Sequence, residues 1–203
     1  RTGASFVDKE RLVSKAFESP FPYETNVLFG VPSDAPFPDS SYYQSYVEST
    51  VPKLIEAAGG RTLVLFTSYD SLKYTYNTTS AALNGKGITF FKQGDDDRFR
   101  LLEKFKEDTQ SVLFATDSFW EGVDVPGDSL SQVIIVKLPF AVPNDPVFAA
   151  RSEDLEKKGG NPFMQLSVPQ AVIKFRQGFG RLVSRGDDRG DIIVLDMRIV
   201  EKR

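Results

Sequence analysis

Residues 60–69 read Gly60-Arg61-Thr62-Leu63-Val64-Leu65-Phe66-Thr67-Ser68-Tyr69, and the fold class turns on that stretch. A continuous apolar run closed by Gly60 at one end and Ser68 at the other reads as a strand buried on both faces, which is how a strand inside a parallel sheet looks. A helical pattern follows from about Tyr69 to Leu83, and the chain then repeats the theme. Strands are predicted at Ile88 to Phe91, Ser111 to Ala115, Gln132 to Leu138 and Asp191 to Leu195. A charged helix is predicted from Asp95 to Asp108, with Phe99, Leu102 and Phe105 on one stripe. Strands alternating with helices imply an α/β fold in which a mainly parallel sheet is covered on both faces.

Upstream, Ser19-Pro20-Phe21-Pro22 and Pro36-Phe37-Pro38 bracket a short apolar stretch, Asn26 to Val31, and prolines so spaced exclude a long helix there. Asp39 or Ser40 is placed to cap a helix running through Tyr43, Val47, Val51, Ile55 and Ala58, which Gly59-Gly60 ends. Residues 139–169, with their prolines and the turn Gly159-Gly160-Asn161-Pro162, break the alternation and read as a surface excursion within a single domain spanning 1–203. The chain opens on Arg1-Thr2-Gly3-Ala4 without an initiator Met, as expected for a piece of something longer.

The chain has 203 residues, 40% of them hydrophobic and 26% charged, with 25 Lys and Arg against 28 Asp and Glu. That is an ordinary globular composition, long enough to bury a large core. No run reaches the roughly 18 apolar residues of a bilayer crossing. With no secretory pattern at the start, the expected compartment is the cytoplasm and no membrane partner is expected. Cys and His are both absent, which removes thiol nucleophiles, iron–sulfur ligation, Ser-His-Asp triads and imidazole bases. Carboxylate, Arg/Lys and backbone chemistry remain. A net charge of −3 is still compatible with a local basic groove.

From Val168 to Val183 the apolar residues Val168, Val172, Phe175, Phe179 and Leu182 recur in steps of four and three, predicting one buried stripe of an α-helix. Gln170, Lys174, Gln177, Arg181 and Ser184 share a second face. An Arg held on a rigid helix suits phosphate, because its planar fork donates two parallel hydrogen bonds and stays charged. Gly178 and Gly180 each cost this helix on the order of 1 kcal/mol relative to Ala, so close backbone approach is expected there. Read from the residues alone, that approach serves either a ligand beside Arg181 or helix packing, with Arg181 a solvated charge.

Several segments, taken in order, resemble the DinG/XPD-type helicases of superfamily two. Gln177-Gly178-Phe179-Gly180-Arg181-Leu182, followed by Asp187-Asp188-Arg189-Gly190 and Leu195-Asp196-Met197-Arg198, is similar to their motif VI. Ala115-Thr116-Asp117-Ser118-Phe119-Trp120-Glu121-Gly122-Val123-Asp124-Val125-Pro126-Gly127 resembles motif V, with Lys137-Leu138-Pro139-Phe140 and Pro143-Asn144-Asp145-Pro146 like the segment after it. Leu65-Phe66-Thr67-Ser68-Tyr69 resembles motif IV, and Ser19-Pro20-Phe21 the entry segment.

The resemblance implies a RecA-like, three-layer second motor domain of an ATP-dependent DNA helicase, with the 5′ to 3′ polarity common in that family. In such enzymes two motor domains enclose ATP while single-stranded DNA crosses both. Carried over, Gln177 and Arg181 would face the nucleotide, Arg181 as arginine finger, with Gly180 beside them. Glu121, Gly122 and Asp124 would line the cleft between the domains. Thr67, Ser68, Tyr69 and Thr116 would meet DNA phosphates. Trp120 would either stack on a base or pack on the Pro126 turn.

The family places a second Arg three residues after its Gly-Arg pair. Here Ser184 stands there and Arg185 follows, about 100° further around a helix, which ranks Arg181 ahead of Arg185. The guanidinium is expected at the carboxyl edge of the sheet. No phosphate-binding loop is present, since Gly85-Lys86-Gly87 is too short, and nothing resembles an Asp-Glu Mg²⁺ site. ATP with Mg²⁺ would therefore be shared with a first motor domain outside this chain, this domain would hold no metal, and alone it would not hydrolyse ATP. The competing reading is a non-catalytic α/β module that binds nucleic acid or protein.

The remaining conspicuous residues have structural readings. Asp95-Asp96-Asp97 reads as a helix start favoured by the macrodipole rather than a metal site. Tyr69, Tyr74 and Tyr76 read either as an aromatic surface for DNA or as half-buried structure. Asp196 is expected to hold Arg198 or Arg181 rather than to act in chemistry.

Overall fold

The computed structural model describes residues 7–13, 15, 22–116, 119, 129–141, 145–180, 182 and 188–201. The strands are β1 (Val27–Gly30), β2 (Thr62–Leu65), β3 (Thr89–Lys92), β4 (Ser111–Ala115), β5 (Gln132–Ile135) and β6 (Gly190–Val194). They form one sheet in the order β1-β6-β5-β2-β4-β3, and every pairing is parallel. The helices are α1 (Tyr23–Asn26), α2 (Tyr43–Ala58), α3 (Tyr69–Ala82), α4 (Arg98–Glu107), α5 (Pro146–Lys157) and α6 (Val168–Phe179). The fold is α/β and RecA-like, as expected.

β2 is buried at every residue and is hydrogen-bonded on both sides, to β4 and to β5. Its side chains alternate between two cores. Leu63 and Leu65 join Leu113, Val133 and Ile135 under Leu101, Leu102 and Phe105 of α4 and Phe175 of α6. Val64 and Phe66 join Val112, Phe114, Ile134 and Val136 under Tyr43, Val47, Val51 and Ile55 of α2 and Leu72 of α3. The period of two along each strand thus feeds both layers, and each fully buried Leu, Ile or Phe contributes about 1.5–3 kcal/mol.

Local chemistry sets the ends of the elements. Asp97 caps α4 by accepting from the N–H groups of Phe99 and Arg100, while Asp96 and Asp95 pair with Lys104 and Lys92. The acidic cluster is a helix start. Gly59 and Gly60 end α2 with φ of 66° and 86°.

The stretch Asn26 to Val31 contains β1, an edge strand defined by its pairing with β6. Two expectations are corrected. Phe99 is 72% exposed; the buried stripe of α4 is Leu101, Leu102 and Phe105, because the helix starts at Arg98 and turns Phe99 outward. On α6 the buried stripe runs through Ala171, Gly178 and, just beyond, Leu182, and Val172 is 50% exposed. Gly178 lies on that buried stripe, which supports helix packing as the use of this glycine. α5 buries none of its residues. A π-helical turn, Phe163–Ser167, leads directly into α6. Among the described residues no helix is long and apolar enough to cross a membrane.

A Cβ built on Gly60 would stand 2.8 Å from the backbone of Gln110, whereas one on Gly59 would meet nothing within 4 Å. Gly59→Ala is expected to cost about 1 kcal/mol, the left-handed backbone penalty alone. Gly60→Ala adds overpacking against main chain and should cost roughly 2–4 kcal/mol. Urea denaturation midpoints of the two variants check the ordering.

Candidate functional site at the two edges of the sheet

In a parallel sheet all strands end at one edge, and the loops after them gather there. β2 and β4 are neighbours with Leu65 opposite Ala115, and Phe66 N–H donates to the Ala115 carbonyl at 2.9 Å. Thr67, Ser68 and Tyr69 on one side and Thr116 on the other therefore emerge side by side. Thr67, Ser68 and Tyr69 are exposed and Thr116 is half-buried.

Ser68 is the N-cap of α3, its hydroxyl accepting from Ser71 N–H at 3.4 Å. The first amides of a helix and its dipole favour an anion at that end. The Tyr69 hydroxyl donates to the Gln93 carbonyl at 3.2 Å, across the end of β4. Gln93 Oε1 accepts from both the Thr116 N–H (2.7 Å) and the Thr116 hydroxyl (2.9 Å). Lys73 lies 5.6 Å from the Tyr69 ring centre. Lys92, paired with Asp95, stands 4.9 Å from the Tyr76 ring. The hydrogen bond that Lys92 donates to Asp95 raises the Lys92 pKa, so this cation stays charged at neutral pH. Tyr76 packs edge-on against Phe114 and is structural, while Tyr74 is exposed on the outer side of α3.

The same edge carries a buried polar knot at the ends of β5 and β6. Asp196 is fully buried. It accepts from Leu138 N–H at 2.9 Å, from Arg198 N–H at 3.1 Å and from Arg198 Nε and Nη2 at 2.9 and 2.6 Å. It thereby fixes the start of Leu138-Pro139-Phe140, and the Arg198 guanidinium lies 5.2 Å from the Phe140 ring. The bond to Asp196 raises the Arg198 pKa. Tyr43 donates its hydroxyl to the Val136 carbonyl. Burial first, and the nearby Asp196 charge second, push that phenol far above its ordinary value. Lys137 donates to the Pro38 carbonyl at 3.2 Å, and burial, followed by the nearby Arg198 charge, lowers its pKa.

The last turn of α6 lies elsewhere. Val168 lines a cleft with Leu138 and Arg198 at the carboxyl edge. At the other end, Leu182 reaches Gly190, the first residue of β6, so closely that a Cβ there would be 2.6 Å from Leu182 Cδ1. Gln177, half-buried, and Gly180, the C-cap of α6, thus stand toward the amino edge. A helix joining two parallel strands runs antiparallel to them and finishes where the next strand begins; the expected carboxyl-edge position of the Arg181 guanidinium itself falls outside the described residues. Gly180 is right-handed, with φ of −61°, and a Cβ on it would stand 3.0 Å from the Arg176 carbonyl. Arg181, Arg185, Glu121, Gly122, Asp124 and Trp120 lie outside the described residues. Gln93, which sequence reasoning passed over, is the residue that joins the loops of the carboxyl edge.

A model of the helicase C-terminal domain family matches residues 51–203. The chain belongs to that family. It is 40% identical over 191 residues to the ATP-dependent DNA helicase YoaA of Haemophilus influenzae, covering 94% of this chain and 29% of the relative. It is 38% identical over 187 residues to the 3'-5' exonuclease DinG of Bacillus subtilis, covering 90% and 20%. Among solved structures an XPD helicase superposes with a TM-score of 0.67 at 16% identity, covering 86% of this chain and 32% of that one. Saccharomyces cerevisiae Dbp5 bound to RNA and ADP BeF3 gives 0.53 at 14%, covering 84% and 35%. These likenesses show the RecA-like fold. The chain spans between a fifth and a third of the length of these curated relatives.

Removing the carboxylate in Asp196→Ala leaves the Leu138 N–H and the Arg198 fork without their acceptor. Expected destabilisation is roughly 3 kcal/mol, discounted for the partial exposure of Arg198. Asp196→Asn, which keeps an acceptor for Leu138, should lose about half as much. Thermal unfolding of the two variants measures both.

Proposed function

We propose that this domain is the second motor domain of an ATP-dependent DNA helicase, and that its carboxyl edge holds the phosphates of single-stranded DNA. The observation that carries the reading is the meeting of Thr67, Ser68, Tyr69 and Thr116 at the ends of neighbouring strands in a chain of the helicase C-terminal family. Hydroxyls and helix-start amides at one edge position a phosphate backbone without reading bases, which suits an enzyme that moves along any sequence.

In this reading the nucleotide is met at a separate place, by the end of α6. Gln177 and Gly180 set the helix end from which Arg181, followed in rank by Arg185, reaches the γ-phosphate and offsets the charge that develops during phosphoryl transfer. Glu121, Gly122 and Asp124 face the cleft toward the first motor domain, and Trp120 lies along the DNA path. Mg²⁺ arrives with ATP on that first domain. Among the described residues no group of three His, Cys, Asp or Glu side chains is placed to hold a metal. Because the sequence carries no phosphate-binding loop and no Asp-Glu motif, the isolated domain is expected to be inactive; the parent protein is expected to work in the cytoplasm.

In the full-length protein, Arg181→Ala should lower DNA-stimulated ATP turnover by about 10³-fold or more, with single-stranded DNA affinity within about twofold of wild type. Arg185→Ala should have the smaller effect. Unchanged turnover in both variants would remove the motor reading and favour a binding module without hydrolysis.

A further inference from the structure

We infer that Gln93 is a DNA-phosphate ligand whose side-chain amide is oriented in advance by Thr116. The inference deepens the proposed function and rests on it.

Gln93 follows β3 directly, and its own N–H donates to the Phe114 carbonyl at 2.9 Å. Its carbonyl accepts the Tyr69 hydroxyl, so its main chain is fixed on two sides. The side chain is fixed as well. An amide side chain can present either oxygen or nitrogen to a neighbour, and the neighbour decides which. Here the neighbour is the Thr116 backbone N–H at 2.7 Å, which can only donate. The atom facing it is therefore oxygen, and the Thr116 hydroxyl supplies a second donor to the same atom at 2.9 Å. A flipped amide would set nitrogen against an N–H.

With Oε1 committed, Nε2 and its two hydrogens are turned away from the Thr116 N–H. Among the described residues Nε2 has no hydrogen-bond partner, while every other polar group of Gln93 near the fold has one. A half-buried, rotationally locked double donor on the edge shared with Thr67, Ser68 and Thr116 is matched by an acceptor-rich, anionic ligand. The phosphodiester oxygens of a nucleic-acid strand are the acceptors that this edge is proposed to meet. Because the orientation is already set, binding does not have to freeze the side chain. The adjoining Gly94, at φ 100°, cannot carry a side chain: a Cβ there would be 2.7 Å from the Tyr69 hydroxyl oxygen.

The test compares Gln93→Ala and Gln93→Glu in the full-length protein, titrated against fluorescent oligothymidylate, with melting temperatures measured alongside. Glutamate keeps an acceptor for both Thr116 donors but replaces the free donor by negative charge. Gln93→Ala should bind about tenfold more weakly, with an unchanged slope of affinity against salt, since a neutral donor releases no counterion. Gln93→Glu should bind more weakly still, with a melting temperature close to wild type. If Gln93→Glu binds like wild type, Gln93 only braces Thr116 and the inference fails while the helicase reading stands. Equal losses accompanied by a lowered melting temperature in both variants also overturn it. If the wild-type protein binds no oligothymidylate, both readings fall together.

Discussion

The domain is organised by the burial of a short strand, Thr62–Leu65, hydrogen-bonded on both sides. Because β2 has neighbours on each side and helices over each face, its backbone and side chains are both fully used, and it cannot slip register without moving leucines out of two cores at once. The positions of β4 and β5 follow from it, and those of β3 and β6 follow from them. The loop that leaves β2 inherits this rigidity, as the proposed phosphate contacts require. A hydroxyl serves as a fixed donor only when the strand behind it cannot shift.

Polar groups at the carboxyl edge are mutually oriented rather than scattered. Gln93 ties Tyr69 to Thr116 across the end of β4, and Asp196 ties Leu138 to Arg198 across the ends of β5 and β6. In each, one residue accepts several donors: the Gln93 side chain takes both Thr116 donors while its carbonyl takes the Tyr69 hydroxyl, and the Asp196 carboxylate takes Leu138 and Arg198. The Asp196 knot is saturated and structural. The Gln93 knot leaves its amide nitrogen over, and that asymmetry separates a brace from a ligand.

Much of this was readable in advance. The continuous run at Thr62 to Phe66, the alternation after it, the acidic helix start at Asp95 to Asp97 and the helix end at Gly59-Gly60 announced the parallel α/β layer, because each carries a local physical cause. The cap expected at Asp39 or Ser40 is not used, since α2 starts after Tyr42 with no side-chain cap. β1 was hidden because it is four residues long, half-exposed and flanked by proline, and only its pairing with β6 makes it a strand. Phe99 and Val172 were misplaced since both helices turn on their caps and contacts, so a shift of one residue moves a stripe by a quarter turn. Gly178, singled out beside Arg181, proved to lie on the packed side of α6. Thr67, Ser68, Tyr69 and Thr116, which the motifs group, emerge at neighbouring strand ends, whereas Gln93 carries no pattern of its own, as its contacts exist only once β3 and β4 are paired.

The direction of α6 has a mechanical corollary. At about 1.5 Å per residue, its 12 residues span the thickness of the layer, so the end bearing Gln177 and the loops bearing Thr67 and Thr116 are separated by the body of the sheet. If the proposed nucleotide and DNA contacts lie at these opposite edges, the two sites communicate as the two ends of a stiff lever do, by tilting the whole body.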